Sequence, residues 1–251
     1  MHPLILSSII FVLMLGGIIV GTWLRSMLPQ HHLSKDTQDT VRLGVGLIAT
    51  MAALVVGLLI AAAKSSYDTQ SGQIKQITAD IILLDSLLTQ YGPETLALRE
   101  QIRAVIPSFV DRIWQEKETN RTAPYQASAS AERIYLQIQA LSPQNSVQQS
   151  LQARAVQICN DLIQARLLLF TETGTSIPLP FLAVLAFWLI IIFASFSLFS
   201  TLNATVFIAL SVFALSAACA IFLILELGGP FTGLLMISST PLREALGPIG
   251  P

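Results

Sequence analysis

Charge is what this chain has least of. Lys, Arg, Asp and Glu make up 12% of its 251 residues and mean hydropathy is +0.66, where a soluble domain carries roughly 25% charged residues. That scarcity excludes an ordinary water-soluble protein. Basic excess is missing too: a formal net charge of -1 offers no electrostatic basis for binding nucleic acid. Two cysteines, Cys159 in a polar stretch and Cys219 in an apolar run, are too few for a disulfide framework and are expected at different depths, unpaired. There is no HExxH, no GxSxG and no GxGxxG after a strand, because Gly44 and Gly46 lie in an apolar helical run. No catalytic residue, cofactor or metal is therefore expected.

What charge there is is segregated. Of the 29 charged residues (14 basic, 15 acidic), 21 fall between Lys64 and Glu172. The middle reads as soluble and the ends as membrane. Leu4 to Leu24 is an uncharged run of 21 residues closed by Arg25, long enough to cross a hydrocarbon core of roughly 30 Å. It lacks a basic n-region and a small-x-small cleavage site, so it reads as a retained span. Gly16, Gly17 and Gly21 are compatible with close helix contact there.

A second run of 21 uncharged residues, Leu43 to Ala63, forms the other half of an N-terminal pair. Gly46, Thr50, Ala53, Gly57 and Ala61 share one helical face, and tight packing within a four-helix subunit is its simplest use. Beyond Lys64 the residues Ile74, Ile77, Ile81, Leu84, Leu88 and Tyr91 recur at three and four, with Lys75, Gln76, Asp80 and Asp85 between them. This spacing predicts a helix that leaves the bilayer and stays amphipathic in water, from Thr40 to Tyr91. No proline interrupts it, and Gly72 is its weakest point. Asp80 and Asp85 are five apart, do not stack on one face, and have no His or Cys beside them.

Between the first two spans, Met27 to Val41 is a polar connector. His31 and His32 beside Asp36 and Asp39 read as solvated, pH-sensitive groups, because adjacent histidines rarely face one ion. After Gly92 and Pro93 three more helices are expected. Glu94 to about Glu118 repeats Leu98, Ile102, Val105, Phe109 and Ile113, with Trp114 adjacent and a kink expected at Pro107. Ile134, Ile138 and Leu141 share a face before Ser142 and Pro143. Ser146 to Thr173 carries the seam Val147, Leu151, Arg154, Ile158, Leu162, Ala165 and Leu169, suited to antiparallel packing on the outgrowth of the second span.

From Thr173 to Leu225 no charge occurs in 53 residues, enough for two spans with a hairpin at Ser200 to Asn203. The fold class is thus an all-α membrane protein: four transmembrane helices, with an extramembrane helical bundle continuing from the second and third spans. The expected parts are residues 1–63, the first span pair; 64–173, the bundle; 174–227, the span hairpin; and 228–251, a broken tail. Four spans put the bundle and both termini on one side. Basic residues near span ends, Lys64, Lys75, Arg166 and Arg243 against Arg25, Lys35 and Arg42, favour a cytoplasmic bundle.

In the tail, Glu226 ends the last span, and Gly228, Gly229, Pro230, Phe231, Thr232 and Gly233 prevent simple helical continuation. An interfacial or re-entrant segment is expected, then a short helix with Thr240 as N-cap and Pro241 first. Pairing of Glu226 with Lys64 or Arg243 is its expected structural use.

The runs HLSKDTQDTVRLGVGLIATMAALVVGLLIAAAKSSYDTQSGQIKQ, ADIILLDSLLTQYGPE and ELGGPFTGLLMISSTPLREAL resemble bacterial and plant membrane proteins classed as bestrophin-like, over nearly the whole chain. Bestrophins are pentameric anion channels in which the second span lines the pore and cytoplasmic helices extend it. The resemblance implies a homo-oligomer in a bacterial inner membrane, small ions as its cargo, and Leu47, Met51, Leu54 and Leu58 as constrictions, with Lys64 at the mouth. The second span has no aromatic residue to form a phenylalanine neck. Thr232 and Gly233 stand where bestrophins carry the acidic run of a calcium clasp, so calcium gating is not expected. Two classes of function follow: an oligomeric channel, or a membrane-anchored scaffold or sensor whose bundle binds a partner without conduction.

Overall fold

The computed structural model describes residues 3–29, 34–115, 124–172, 179–201 and 203–245, and these contain helices and no strand. Four of the helices are long and apolar enough to cross a membrane. The α-helices among the described residues are, in order, α1 (Pro3–Met27), α2 (Lys35–Tyr91), α3 (Leu96–Gln115), α4 (Pro124–Gln139), α5 (Ser146–Glu172), α6 (Leu179–Phe199), α7 (Ala204–Leu227) and α8 (Thr240–Glu244), of which α1, α2, α6 and α7 hold the four spans. The chain divides into two compact units. One is Met1–Tyr67, Thr175–Gly229 and Gly233–Leu235; the other is Asp68–Gly174, Pro230–Thr232 and Met236–Pro251.

The unbroken helix α2 has 57 residues, roughly 85 Å at 1.5 Å per residue. It starts at Lys35, ahead of the expected Thr40, and so shortens the polar connector. Ser34 is the reason: its hydroxyl accepts the Thr37 N–H at 3.4 Å and pairs with the Thr37 hydroxyl at 2.9 Å, capping the first turn. Gly72 lies within the helix, with nothing within 4 Å of where a Cβ would stand. His31 and His32 lie outside the described residues.

In the first unit α1 packs on both α6 and α7. Gly17 and Gly21 make the closest approach. A Cβ at Gly17 would lie 3.0 Å from the Ile190 carbonyl oxygen, and one at Gly21 would overlap the Ala194 carbonyl and the Ser197 hydroxyl. The gap is used: Ser197, fully buried, donates its hydroxyl to the Ile18 carbonyl at 2.8 Å. Such a bond between helices suits an apolar medium that supplies no water. Met14, Ile18, Leu185, Phe193, Ala214 and Ile221 fill the core around it. At one end the Arg25 guanidinium donates to the Ser200 carbonyl, and the Gln38 amide donates to Phe199 at 3.3 Å. The ends of α1 and α6 and the start of α2 therefore lie together.

The second unit is a bundle. Ile74, Ile77, Ile81, Leu84, Leu88 and Tyr91 of α2 are all buried, at the predicted spacing. Gly92 (φ +143) turns the chain in a conformation that favours glycine, and the Thr95 hydroxyl donates to the Leu88 and Gly92 carbonyls at 2.6 and 2.8 Å. Helix α3 runs on through Pro107. Its buried row is Leu98, Ile102, Ile106 and Val110, whereas the expected Val105, Phe109 and Ile113 are only half-buried. Residues 116–118, where that helix was expected to end, lie outside the described ones. The start of α5 meets the end of α2, where the Gln148 amide donates to the Tyr91 carbonyl at 2.8 Å, so the two run antiparallel. The expected α5 seam is corrected, however: Val147 and Arg154 are exposed, and the inward row is Ala155, Ile158, Cys159 and Leu169. Burial follows the helix's actual rotation, which admits small Ala155 beside its neighbours.

Candidate functional site

The transmembrane part of α2 has two unlike sides. Val45 and Ala52 are buried in the core of the first unit, with Val41, Ile48, Val56 and Leu59 packed around them. At roughly 100° per residue these fall within one narrow sector. Leu47, Met51, Leu54 and Leu58 lie on the opposite side and are 44–66% exposed. Only 11% of the α2 span window is buried, against 28–33% for the other three spans. The helix is thus the least covered of the four.

Gly46, Thr50, Ala53, Gly57 and Ala61 are also exposed. They lie beside the leucine side, about a quarter of a turn from it, and are as far from the buried side as the leucines are. A Cβ at Gly46 or Gly57 would meet nothing within 4 Å. The expectation that this stripe packs within the subunit is therefore corrected: α1 supplies the tight glycine contact, through Gly17 and Gly21. The two stripes look alike in sequence, and only the presence of a neighbour separates them. Lys64 extends the small-residue side, with its ammonium 5.5 Å from the Tyr67 ring centroid.

Glu226 is 3% exposed in the last turn of α7. Its carboxylate accepts the Leu234 N–H and, at 3.3 Å, the Leu235 N–H. Gly233 makes this possible: its φ is +95, and a Cβ there would collide with the Glu226 carboxylate. The expected pairing with Arg243 is not formed, because Arg243 donates to Asp111 at 2.8 Å. With no cation required, two backbone donors neutralise part of the carboxylate's demand. Gly228 and Gly229 continue into the turn by donating to the Ile224 and Glu226 carbonyls at 3.1 and 3.2 Å.

Pro230 and Phe231 are buried in the second unit. Phe231 meets Trp114 edge-on, with centroids 5.5 Å apart and planes at 81°. The Trp114 indole donates to the Ile237 carbonyl at 2.8 Å, while the Ile237 N–H donates to Pro230 at 2.7 Å. This seat for the tail escaped sequence reasoning; Trp114 stands 123 residues from its acceptor. Helix α8 is capped by Ser239 in place of the expected Thr240, since the Ser239 carbonyl receives the Arg243 N–H at 3.0 Å.

Asp85 finds its partners on α3. It is 1% exposed and receives a two-pronged Arg99 guanidinium at 2.8 and 2.9 Å, with Arg103 at 3.7 Å. Bonding to Asp85 holds the Arg99 guanidinium above its usual range, against the opposing effect of burial. The signal was present: Asp85 lies four after Ile81 and three before Leu88, on the apolar stripe. The same bundle carries a half-open apolar pocket of about 120 Å³ lined by residues that include Ile77, Ile81, Ile102, Phe109 and Cys159. Burial pushes the Cys159 thiol up to about 11, which keeps it protonated and unreactive at neutral pH. Among the described residues no group of three His, Cys, Asp or Glu could hold a metal.

No curated protein is significantly similar to the chain. The family model for the Bestrophin-like domain matches residues 12–242. That span takes in α2, the bundle and the tail through Leu242, and by it the chain belongs to the Bestrophin-like family of membrane proteins.

Proposed function

We propose that the protein is a homo-oligomeric ion channel in which the α2 helices of several copies surround a conduit. The observation that carries this reading is the uncovered side of α2: a membrane span with Leu47, Met51, Leu54 and Leu58 exposed opposite its packed face. In a ring, those four side chains constrict the axis, and a hydrophobic constriction gates by excluding water. Gly46, Thr50, Ala53, Gly57 and Ala61 then face the adjacent copy, where small side chains let backbones approach. Five copies are the number that the bestrophin analogy supplies. Lys64 stands where the span leaves the bilayer and draws anions toward the mouth. The 64–173 bundle forms a vestibule on the cytoplasmic side of a bacterial inner membrane.

The test is purified protein in a planar bilayer. An ion-selective current is expected, with conductance raised by Leu54→Ala and selectivity moved toward cations by Lys64→Glu. Silence from a folded oligomer would overturn the channel and leave the membrane-anchored scaffold or sensor.

A further inference from the structure

We propose that the loop following α7 is a lipid-inserting tip, in which Leu234 and Leu235, with Met236 next in the chain, enter the acyl region of the leaflet where α7 ends. Their side chains are 77%, 40% and 58% exposed, the only three consecutive large apolar residues of the described tail to stand open. From residue 227 to residue 242 the sequence has no charge in 16 positions, so nothing in it resists an apolar medium. Leu223, one turn before α7 ends, is itself exposed.

Irregular backbone enters a membrane only if its polar groups are satisfied internally. Here two of the tip's backbone donors are satisfied by Glu226. Its carboxylate, on the last turn of the span, takes the N–H groups of both Leu234 and Leu235. The same bonds hold the tip beside the end of the span, within reach of the lipid that surrounds α7. Gly233, with φ +95, lets the backbone come that close to the carboxylate. A buried membrane carboxylate thus acts as an internal cap for an inserted loop; it needs neither a cation partner nor a proton-transfer role.

The experiment places a bimane label on Leu234→Cys in the full chain carrying Cys159→Ser and Cys219→Ala, reconstituted in phosphatidylcholine–phosphatidylglycerol vesicles. Spin labels at a shallow acyl position are expected to remove most of the emission, while aqueous iodide leaves it nearly unchanged. Adding Glu226→Ala should shift the emission to the red and admit iodide. Strong iodide quenching without lipid quenching would overturn the proposal, as would resistance to both, which would mean that a second copy or another segment covers the tip. The singly labelled protein decides the matter even if the Glu226 variant fails to fold.

Discussion

Small differences between similar residues decide much of this molecule. Gly21 and Gly46 sit in comparable apolar helices, but a Cβ collides with α6 at the first and meets nothing at the second. Gly21→Ala should destabilise the folded protein by about 1–3 kcal/mol, as overpacking does. If copies assemble through this side of α2, Gly46→Ala should weaken that assembly and leave thermal unfolding of the single subunit in detergent unchanged. Equal effects on unfolding would contradict the packing described. Cysteine gives a second contrast. The Cys159 thiol is pushed from 9.0 to about 11 by burial. Because its folded value is raised, the stability linked to the neutral thiol is whole below about pH 9 and is lost as pH climbs toward about 11. Maleimide should therefore label Cys159 slowly at pH 8 in a Cys219→Ser variant, and rapidly after unfolding. Fast native labelling would rule out the buried position.

Among the elements, α2 was legible from Thr40 onward, because its three-four spacing records a buried face and no proline breaks it. Its start was not, since Lys35 to Asp39 look equally polar whether helical or coiled. The buried rows of α3 and α5 lie a fraction of a turn from the expected ones; periodicity gives a stripe, and the neighbours decide which side of the stripe is deepest. Asp85 shows the same limit with charge. Its partners Arg99 and Arg103 lie on another helix, and nothing local announces them. Removing a buried partner leaves the other charge uncompensated, so Asp85→Asn should cost about 3–5 kcal/mol in chemical unfolding. Replacing the pair together, as Asp85→Leu with Arg99→Met, should recover most of that loss. A double variant as weak as the single one would show that the guanidinium serves something beyond this ion pair.

For the whole molecule, the uneven covering of its four spans is the dominant fact. The first span packs on both α6 and α7, while α2 keeps a broad apolar side outward. If copies assemble around that side, Leu54→Cys in a cysteine-free background should cross-link one copy to the next under mild oxidation, and Val45→Cys should not. Cross-linking from Val45 alone would reverse the orientation proposed. A conduit cannot be read from composition, since an outward leucine is equally at home in lipid.

Trp114 lends the protein an optical gauge of its own. Its indole is tied to Ile237 and edged by Phe231, whereas Trp23 is 59% exposed. With Trp23 and Trp188 changed to phenylalanine, the remaining ultraviolet emission would report whether the C-terminal strap is seated on the bundle. Its colour would then reveal, without any added dye, which stimuli unfasten it.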